Sequence, residues 1–403
     1  MKHLLLPACL IFCSTTTWAK LSPLASPPDW SKLNIFQETI TAKDFKDLLN
    51  TVYAPNGAWK DSITIYDDSA LIKTSPGAAP YLLRFAPSRA AAKPVTTYWR
   101  KGKQLPMVPD KPLAGLKIAL DPGHIGGSWA KMEERWFQID NSKPVTEGDM
   151  TLKVAKMLVP RLEALGAEVF LTRTKNWPVT SQRPDKLEQA AVDSLADKKT
   201  PATPEAIQDE SELLFYRVSE IRRRGRLVNE HIRPDIVLCL HFNAEAWGDK
   251  DNPKLVEENH LHFLITGALS ADELAYEDQR YDMLVKLLNR SFTEELALTN
   301  SLSRSMAKET GLPPYVYRQA NAIRVNDNPY IWARNLLANR LFACPTVYLE
   351  PYVMNSKLVF ARIQAGDYSG TRDFGGAMRK SIYREYADGI VTGLLAYYSD
   401  RSL

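Results

Sequence analysis

The sequence predicts an α/β fold with a parallel sheet at its centre. Three observations predict it. Ile118–Leu120, Ile236–Leu240 and Thr346–Leu349 are short apolar runs of the kind that form buried strands. Helical patterns lie between them, and Thr151–Leu165 followed by Val169–Thr172 completes a strand, helix, strand unit, which makes a right-handed parallel crossover. The three apolar runs also lead into residues that can carry chemistry: His124, His241 and Glu350, with Glu147 just before the first long helix. Strand carboxyl ends converge on one edge of such a sheet, and ligands bind there.

In chain order, Lys2 and His3 precede the apolar run Leu4–Cys13, and Thr17-Trp18-Ala19 offers small residues where a signal peptidase reads. Residues 1–19 therefore read as a secretory signal, too short to span a bilayer, with the mature chain starting near Lys20. Residues 20–30, rich in Pro and Ser, read as a flexible leader. Thr41–Asp44 resembles a capping box with Asp in the Glu position, opening a helix to about Val52 with Phe45, Leu48 and Leu49 on one face. Ser62–Tyr66, Ser69–Thr74 and Tyr81–Phe85 read as strands. Residues 31–90 thus form a small α+β domain with no chemistry of its own, and 91–112, rich in Ala, Lys and Pro, form a linker.

The main domain is expected over 113–403. Asp121-Pro122-Gly123 breaks its first strand, because proline lacks an N–H and glycine reaches unusual backbone angles. His124 is delivered at that break, and Gly126-Gly127 leaves the loop free of side chains for a bulky substrate. Taken alone, His124 reads equally well as a metal ligand and as a hydrogen-bonded loop histidine. The helix over Thr151–Leu165 contains Pro160 and ends at Gly166, a C-cap residue. Residues 175–210, with Pro178, Pro184, Pro201 and Pro204, form a long polar stretch, a length uncommon without function or disorder. Ser211–His231 reads as a helix whose Arg222-Arg223-Arg224 faces solvent. His260–Thr266 reads as a strand, Asp272–Asn289 and Ser291–Thr310 as helices, and Tyr383–Tyr398 as the last helix. His231 and His260 read as solvated, and His262 as a supporting or exposed group or a substitute ligand.

KIALDPGHIGG, TEGDMTLKVAKMLVPRLEALGAEVFLTRT, DIVLCLHFNA and PTVYLEPYVMN stand here in this order. In order and spacing they resemble the motifs of the zinc-dependent N-acetylmuramoyl-L-alanine amidases of the amidase_3 type, over roughly residues 115–400. The resemblance implies a mixed, mostly parallel sheet flanked by helices. It also implies a zinc ion held by His124, Glu147 and His241, with Glu350 as the catalytic carboxylate. Zinc sites of this kind keep three protein ligands and an open position, and the glutamate carries a proton from water to the departing amine. The bond implied is the amide between N-acetylmuramic acid and L-alanine in peptidoglycan. The last motif departs from the family's usual pattern at Pro351 and Tyr352. Arg334 and Asn335 resemble a further motif near the substrate groove.

At 403 residues the chain has room for two domains, and 45% hydrophobic with 24% charged residues is ordinary for a globular protein. A formal charge of +4 gives no nucleic-acid footprint. No apolar run after the signal is long enough for a membrane helix, so the expected location is the periplasm or cell envelope, without stable membrane insertion. Cys239 and Cys344 read as buried thiols or a disulfide; zinc ligation lacks the CxxC spacing. Two other readings stand beside the amidase: a murein-binding protein without catalysis, and a zinc hydrolase of another amide or peptide. A murein amidase invites regulation, by a protein partner or by the chain itself. Residues 175–210, with Asp209 and Glu210, and the helix around 272–290, with Glu273, Glu277 and Asp278, read either as solvated insertions without effect on the site or as segments of which one restricts entry, by placing a carboxylate over the zinc or by walling the groove.

Overall fold

A computed structural model describes residues 20–249 and 252–399. The signal expected over residues 1–19 lies outside the described residues. Ile63–Ile65 (β1), Ser69–Ile72 (β2) and Tyr81–Arg84 (β3) form a small antiparallel sheet. The main sheet contains Lys117–Pro122 (β4), Glu168–Leu171 (β5), Ile236–Leu240 (β6), Leu261–Thr266 (β7), Ala322–Arg324 (β8), Ile331–Arg334 (β9) and Thr346–Pro351 (β10). Their order is β8-β9-β7-β10-β6-β4-β5. β5, β4, β6 and β10 run parallel, β7 lies antiparallel to β10, β9 runs parallel to β7, and β8 closes the edge antiparallel. The sheet is mixed and mostly parallel, as expected.

Both faces of the central strands are covered, which is why they read as continuous apolar runs rather than alternating ones. Ile118, Leu120, Leu238 and Leu240 pack on one side against Val154, Leu158, Leu302, Ile390 and Leu394, from helices Glu147–Ala164, Ser291–Thr310 and Ile382–Ser399. Ala119, Val237 and Cys239 pack on the other side with Val228, Phe342 and Cys344. Cys239 and Cys344 are buried free thiols, pushed up by burial and so held inert.

Several segments differ from the sequence reading. Residues 20–30, expected as a flexible leader, are pinned: the buried Ser22 donates from its backbone N–H to Asp278 Oδ1 at 2.8 Å, and Arg222 donates to the Ser22 hydroxyl at 2.8 Å. Within the expected linker, Trp99 is buried and Arg100 pairs with Asp235 at 2.7 Å. Residues 175–210 hold two helices, Glu188–Asp197 and Pro204–Leu213, the second continuing through π-type turns to Ile232. Arg224, expected on a solvated face, is buried.

The helix opened by Thr41 is capped as expected: its hydroxyl accepts the Asp44 N–H at 3.1 Å. Leu33, Phe45 and Leu49 of the small module share one apolar cluster with Ile265 of β7, Ile331 of β9 and Leu284 and Leu287 of helix Glu277–Leu288. Backbone bonds add to the contact: Ala268 and Leu269 donate to the carbonyls of Val52 and Tyr53, each at 2.8 Å.

Candidate metal centre

The parallel strands deliver three of the predicted residues to one edge. His124 follows β4, His241 follows β6, and Glu350 is the next-to-last residue of β10. Glu147 is the first residue of the long helix and is held at that edge by the Arg135 carbonyl, which accepts its N–H at 3.2 Å. Ligand-type atoms of His124, Glu147 and His241 lie within 4.8 Å of one another. His124 Nε2 is 3.1 Å from Glu147 Oε2, and His241 Nδ1 is 3.0 Å from Glu147 Oε1. The Phe242 N–H also donates to Oε1 at 3.1 Å, so the carboxylate cannot rotate freely. Glu350 lines the same cavity, of about 650 Å³, together with Arg135, Arg217, Arg334 and Trp247.

Close backbone approaches make the convergence geometrically feasible. A Cβ on Gly123 would stand 2.2 Å from the His241 ring, so only glycine lets that ring sit against the loop. The ring's other face stacks on Tyr348, centroids 4.2 Å apart. Gly126, expected to open the loop to substrate, is instead buried against the start of the helix: a Cβ there would meet Asp149 Oδ1 at 2.4 Å. Its lack of a side chain serves loop-to-helix packing.

A layer of buried charge supports the loop. Glu133 accepts the N–H of Ile125 at 2.8 Å and of Gly126 at 3.0 Å, and its Oε1 lies 3.7 Å from His124 Nδ1. Nδ1 therefore faces Glu133 while Nε2 faces the site, the arrangement that fixes a ligating imidazole. Arg224 donates to Asp121 Oδ1 at 3.1 Å, to the Pro122 carbonyl at 2.8 Å and to the His124 carbonyl at 2.8 Å, and its own charge is matched by Glu220. Arg173 donates to the carbonyls of Pro122, Gly123 and Gly148. Sequence reasoning misses Glu133, Arg173 and Arg224. Glu133 and Arg224 sit in charged runs, MEER and RRR, that look like solvent-facing stretches.

Burial opposes charge on all four site residues. On His124 the carboxylates of Glu147 and Glu133 outweigh it and hold the ring's pKa up, at about 9. Burial also opposes ionisation of Glu147, but the two histidines keep it well below the usual carboxylate range. His241 is pushed down by burial, against the pull of Glu147. Glu350 is pushed up by burial and by the charge of Glu147, to about 8. The donors are nitrogen, oxygen and nitrogen, from the partly exposed His124 and the buried Glu147 and His241, a set that suits a divalent ion such as zinc.

The other histidines and the inserted carboxylates fall elsewhere. His231 is exposed, as expected. His260, expected in solvent, is buried against Glu245, and His262 is buried with Nε2 3.0 Å from the Tyr317 hydroxyl, outside the three-residue cluster. The inserted carboxylates do not line the metal cavity. Glu210 is held by Lys198, Glu277 by Trp30 and Ser75, Asp278 by Ser22 and Arg222, and Glu273 caps its own helix. The wall of the cavity receives Arg217 instead, from the turn after Pro204–Leu213.

No family model matches this sequence, and no curated protein matches it. Several solved structures are similar. An N-acetylmuramyl-L-alanine amidase from Mycobacterium smegmatis matches at 15% identity and a TM-score of 0.39, over 72% of this chain and 99% of its own. The CwlD amidase from Clostridioides difficile, solved in complex with the GerS lipoprotein, matches at 13% and 0.40, over 71% and 99%. The catalytic domain of the amidase CwlV from Bacillus (Paenibacillus) polymyxa matches at 14% and 0.39, over 70% and 98%. At such scores the functional reading rests on the site itself.

Proposed function

We propose that this chain is an exported, zinc-dependent N-acetylmuramoyl-L-alanine amidase that cleaves the amide between N-acetylmuramic acid and L-alanine in peptidoglycan. The observation that carries the reading is the convergence of His124, Glu147 and His241 within 4.8 Å, on a cavity that also holds Glu350. The four motifs supply the bond. His124, Glu147 and His241 are the residues that would hold the ion. A bound zinc ion supplies Lewis acidity, making water nucleophilic near neutral pH and polarising a carbonyl. Glu350 is the proton carrier: a carboxyl whose pKa lies near the working pH accepts a proton from attacking water and returns it to the departing nitrogen. Trp247 and Tyr348 give the cavity apolar surface.

Among the described residues no helix is long and apolar enough to cross a membrane. The proposed site of action is the periplasm or cell envelope, with peptidoglycan as partner and room for a regulatory protein. The test is digestion of intact sacculi and of muramyl peptides by purified protein, with the new ends identified by mass spectrometry. Free muramic acid lactyl groups and peptides beginning in L-alanine are the expected products. Cleavage within the peptide, or none by zinc-loaded protein, refutes the proposal.

A further inference from the structure

The leader is tied to two helices, and the proposed reaction uses none of it. From helix Glu277–Leu288, Asp278 accepts both the Ser22 N–H, at 2.8 Å, and the Ser22 hydroxyl, while the Glu277 N–H donates to the Lys20 carbonyl at 2.9 Å. From helix Glu220–Arg226, Arg222 donates to the Ser22 hydroxyl at 2.8 Å and to the Pro23 carbonyl at 3.2 Å. Arg222 also pairs with Asp278 at 3.1 Å, and both side chains are nearly buried. Ser22 therefore sits within a shielded ion pair that joins the two helices. Such pairs hold geometry better than exposed ones, because solvent and salt screen them less.

Two routes run from this leader to the loop that carries His124. The first is apolar. Leu24 has a φ of 58°, a left-handed conformation that a bulky residue keeps only where its surroundings over-determine it. It packs on a buried cluster of Ile125, Leu187, Leu214 and Phe215. Ile125 follows His124 in the chain, and Glu133 accepts its N–H. The second route is helix Glu220–Arg226 itself. Arg222 holds the leader, and Arg224, about 200° further round the same helix, donates to the Pro122 and His124 carbonyls at 2.8 Å each. One helix thus anchors both the leader and the metal loop.

We infer that residues 20–25 are a positioning strap: docked, they hold the metal loop in its ligating geometry, and their loss lowers metal affinity while the sheet stays folded. This rests on His124 as a metal ligand and adds a point of control outside the metal cavity, which no residue of the strap lines. Leu24 and Arg222 are positioning residues, acting through Ile125 and Arg224. Ser26 and Pro27 are exposed, so an accessible link of the kind proteases cut joins the strap to the rest of the chain. Trimming the leader there would turn the site down.

The test compares the chain over residues 20–403 with the same chain begun at Ser26, and with Leu24→Ala and Leu24→Met in the full length. The first readout is amide hydrogen exchange of the metal-free proteins, which needs neither zinc nor substrate. In the shortened chain the Ile125 and Gly126 amides are expected to exchange about tenfold faster, the scale on which local opening responds to loss of a partly buried leucine. The Ala119 and Val237 amides, inside the main sheet, are expected to keep their rates. The second readout is competition for zinc against a chromophoric chelator. Binding is expected to weaken about threefold to tenfold, less than loss of a direct partner of a ligating histidine gives. Leu24→Ala should move both readouts the same way by less, and Leu24→Met should stay near wild type. Unchanged exchange at Ile125 and Gly126 overturns the inference. So does faster exchange shared equally by Ala119 and Val237, which would make the leader a general stabiliser, and so does unchanged zinc affinity in a chain whose loop has loosened. If the chain begun at Ser26 does not fold, the two Leu24 variants carry the same comparison. Failure of wild type to bind zinc would refute the metal reading, while exchange would still decide whether the strap sets the loop.

Discussion

Replacing Glu133 separates what holds the metal loop from what would hold the metal. Its side chain is 1% exposed and serves three groups: the Ile125 and Gly126 N–H donors and, at 3.7 Å, His124 Nδ1. Glu133→Ala strands two buried donors, at about 1–3 kcal/mol each. The combined cost, about 2–6 kcal/mol, reaches the net stability of many domains, so that variant tests folding more than chemistry. Glu133→Gln is the informative change. It keeps the volume and one acceptor oxygen but removes the charge that fixes the His124 tautomer. Loss of such a supporting group typically weakens metal binding about 10–100-fold, or about 1.4–2.7 kcal/mol. The assay is competition for zinc against a chromophoric chelator at fixed pH, alongside thermal unfolding of the metal-free protein. Weaker zinc binding with little change in metal-free melting is the expected pattern. If Glu133→Gln holds zinc as tightly as wild type, the carboxylate supports only the loop backbone and the argument from His124 fails.

Three further outcomes follow from the same geometry. Glu350→Gln should retain zinc and fold but lose about 10²–10⁴-fold in turnover, since glutamine cannot carry the proton; near-normal turnover would remove Glu350 from the mechanism. Gly123→Ala should displace the His241 ring, which a new Cβ would meet at 2.2 Å, and cost most of the zinc affinity; titration of metal into the folded variant measures it. His262 is held neutral by burial, its pKa pushed down to about 3. Below its ordinary value of 6.5 the unfolded chain takes up a proton that the folded chain refuses, so stability falls as pH falls, by about 2 kcal/mol from this group between pH 7.5 and 5. Denaturant unfolding of His262→Gln should show a correspondingly flatter decline, and an unchanged slope would contradict it.

The parts legible in the sequence are those where local chemistry and fold agree. Strands β4, β6 and β10 are continuous apolar runs, and each leads directly to a site residue, so the residue pattern alone puts His124, His241 and Glu350 on one edge. The helices over 188–213 escape such a reading because prolines look like breakers. Pro204 stands at the first position of its helix, where its absent N–H costs nothing, and Thr203 caps it by accepting the Ala206 N–H at 3.2 Å. Strands β8 and β9 are three and four residues long, too short for alternation to register. The buried roles of Glu133, Arg224 and His260 depend on partners distant in sequence or in neighbouring elements. A charged run gives no sign of which member turns inward.

The apolar cluster shared by the small module and the main sheet has a consequence for how this molecule comes apart. Phe45 and Leu49 touch the same interior as Ile265 and Ile331, so the boundary between module and sheet is continuous core rather than a joint. A large apolar interface removes the relative motion that separate domains otherwise show, so module and sheet are expected to move as one body. A cavity cut at Phe45 should then be felt across β7 and β9, the strand that carries Arg334, although Phe45 itself lies in a helix that supplies no residue to the metal cavity.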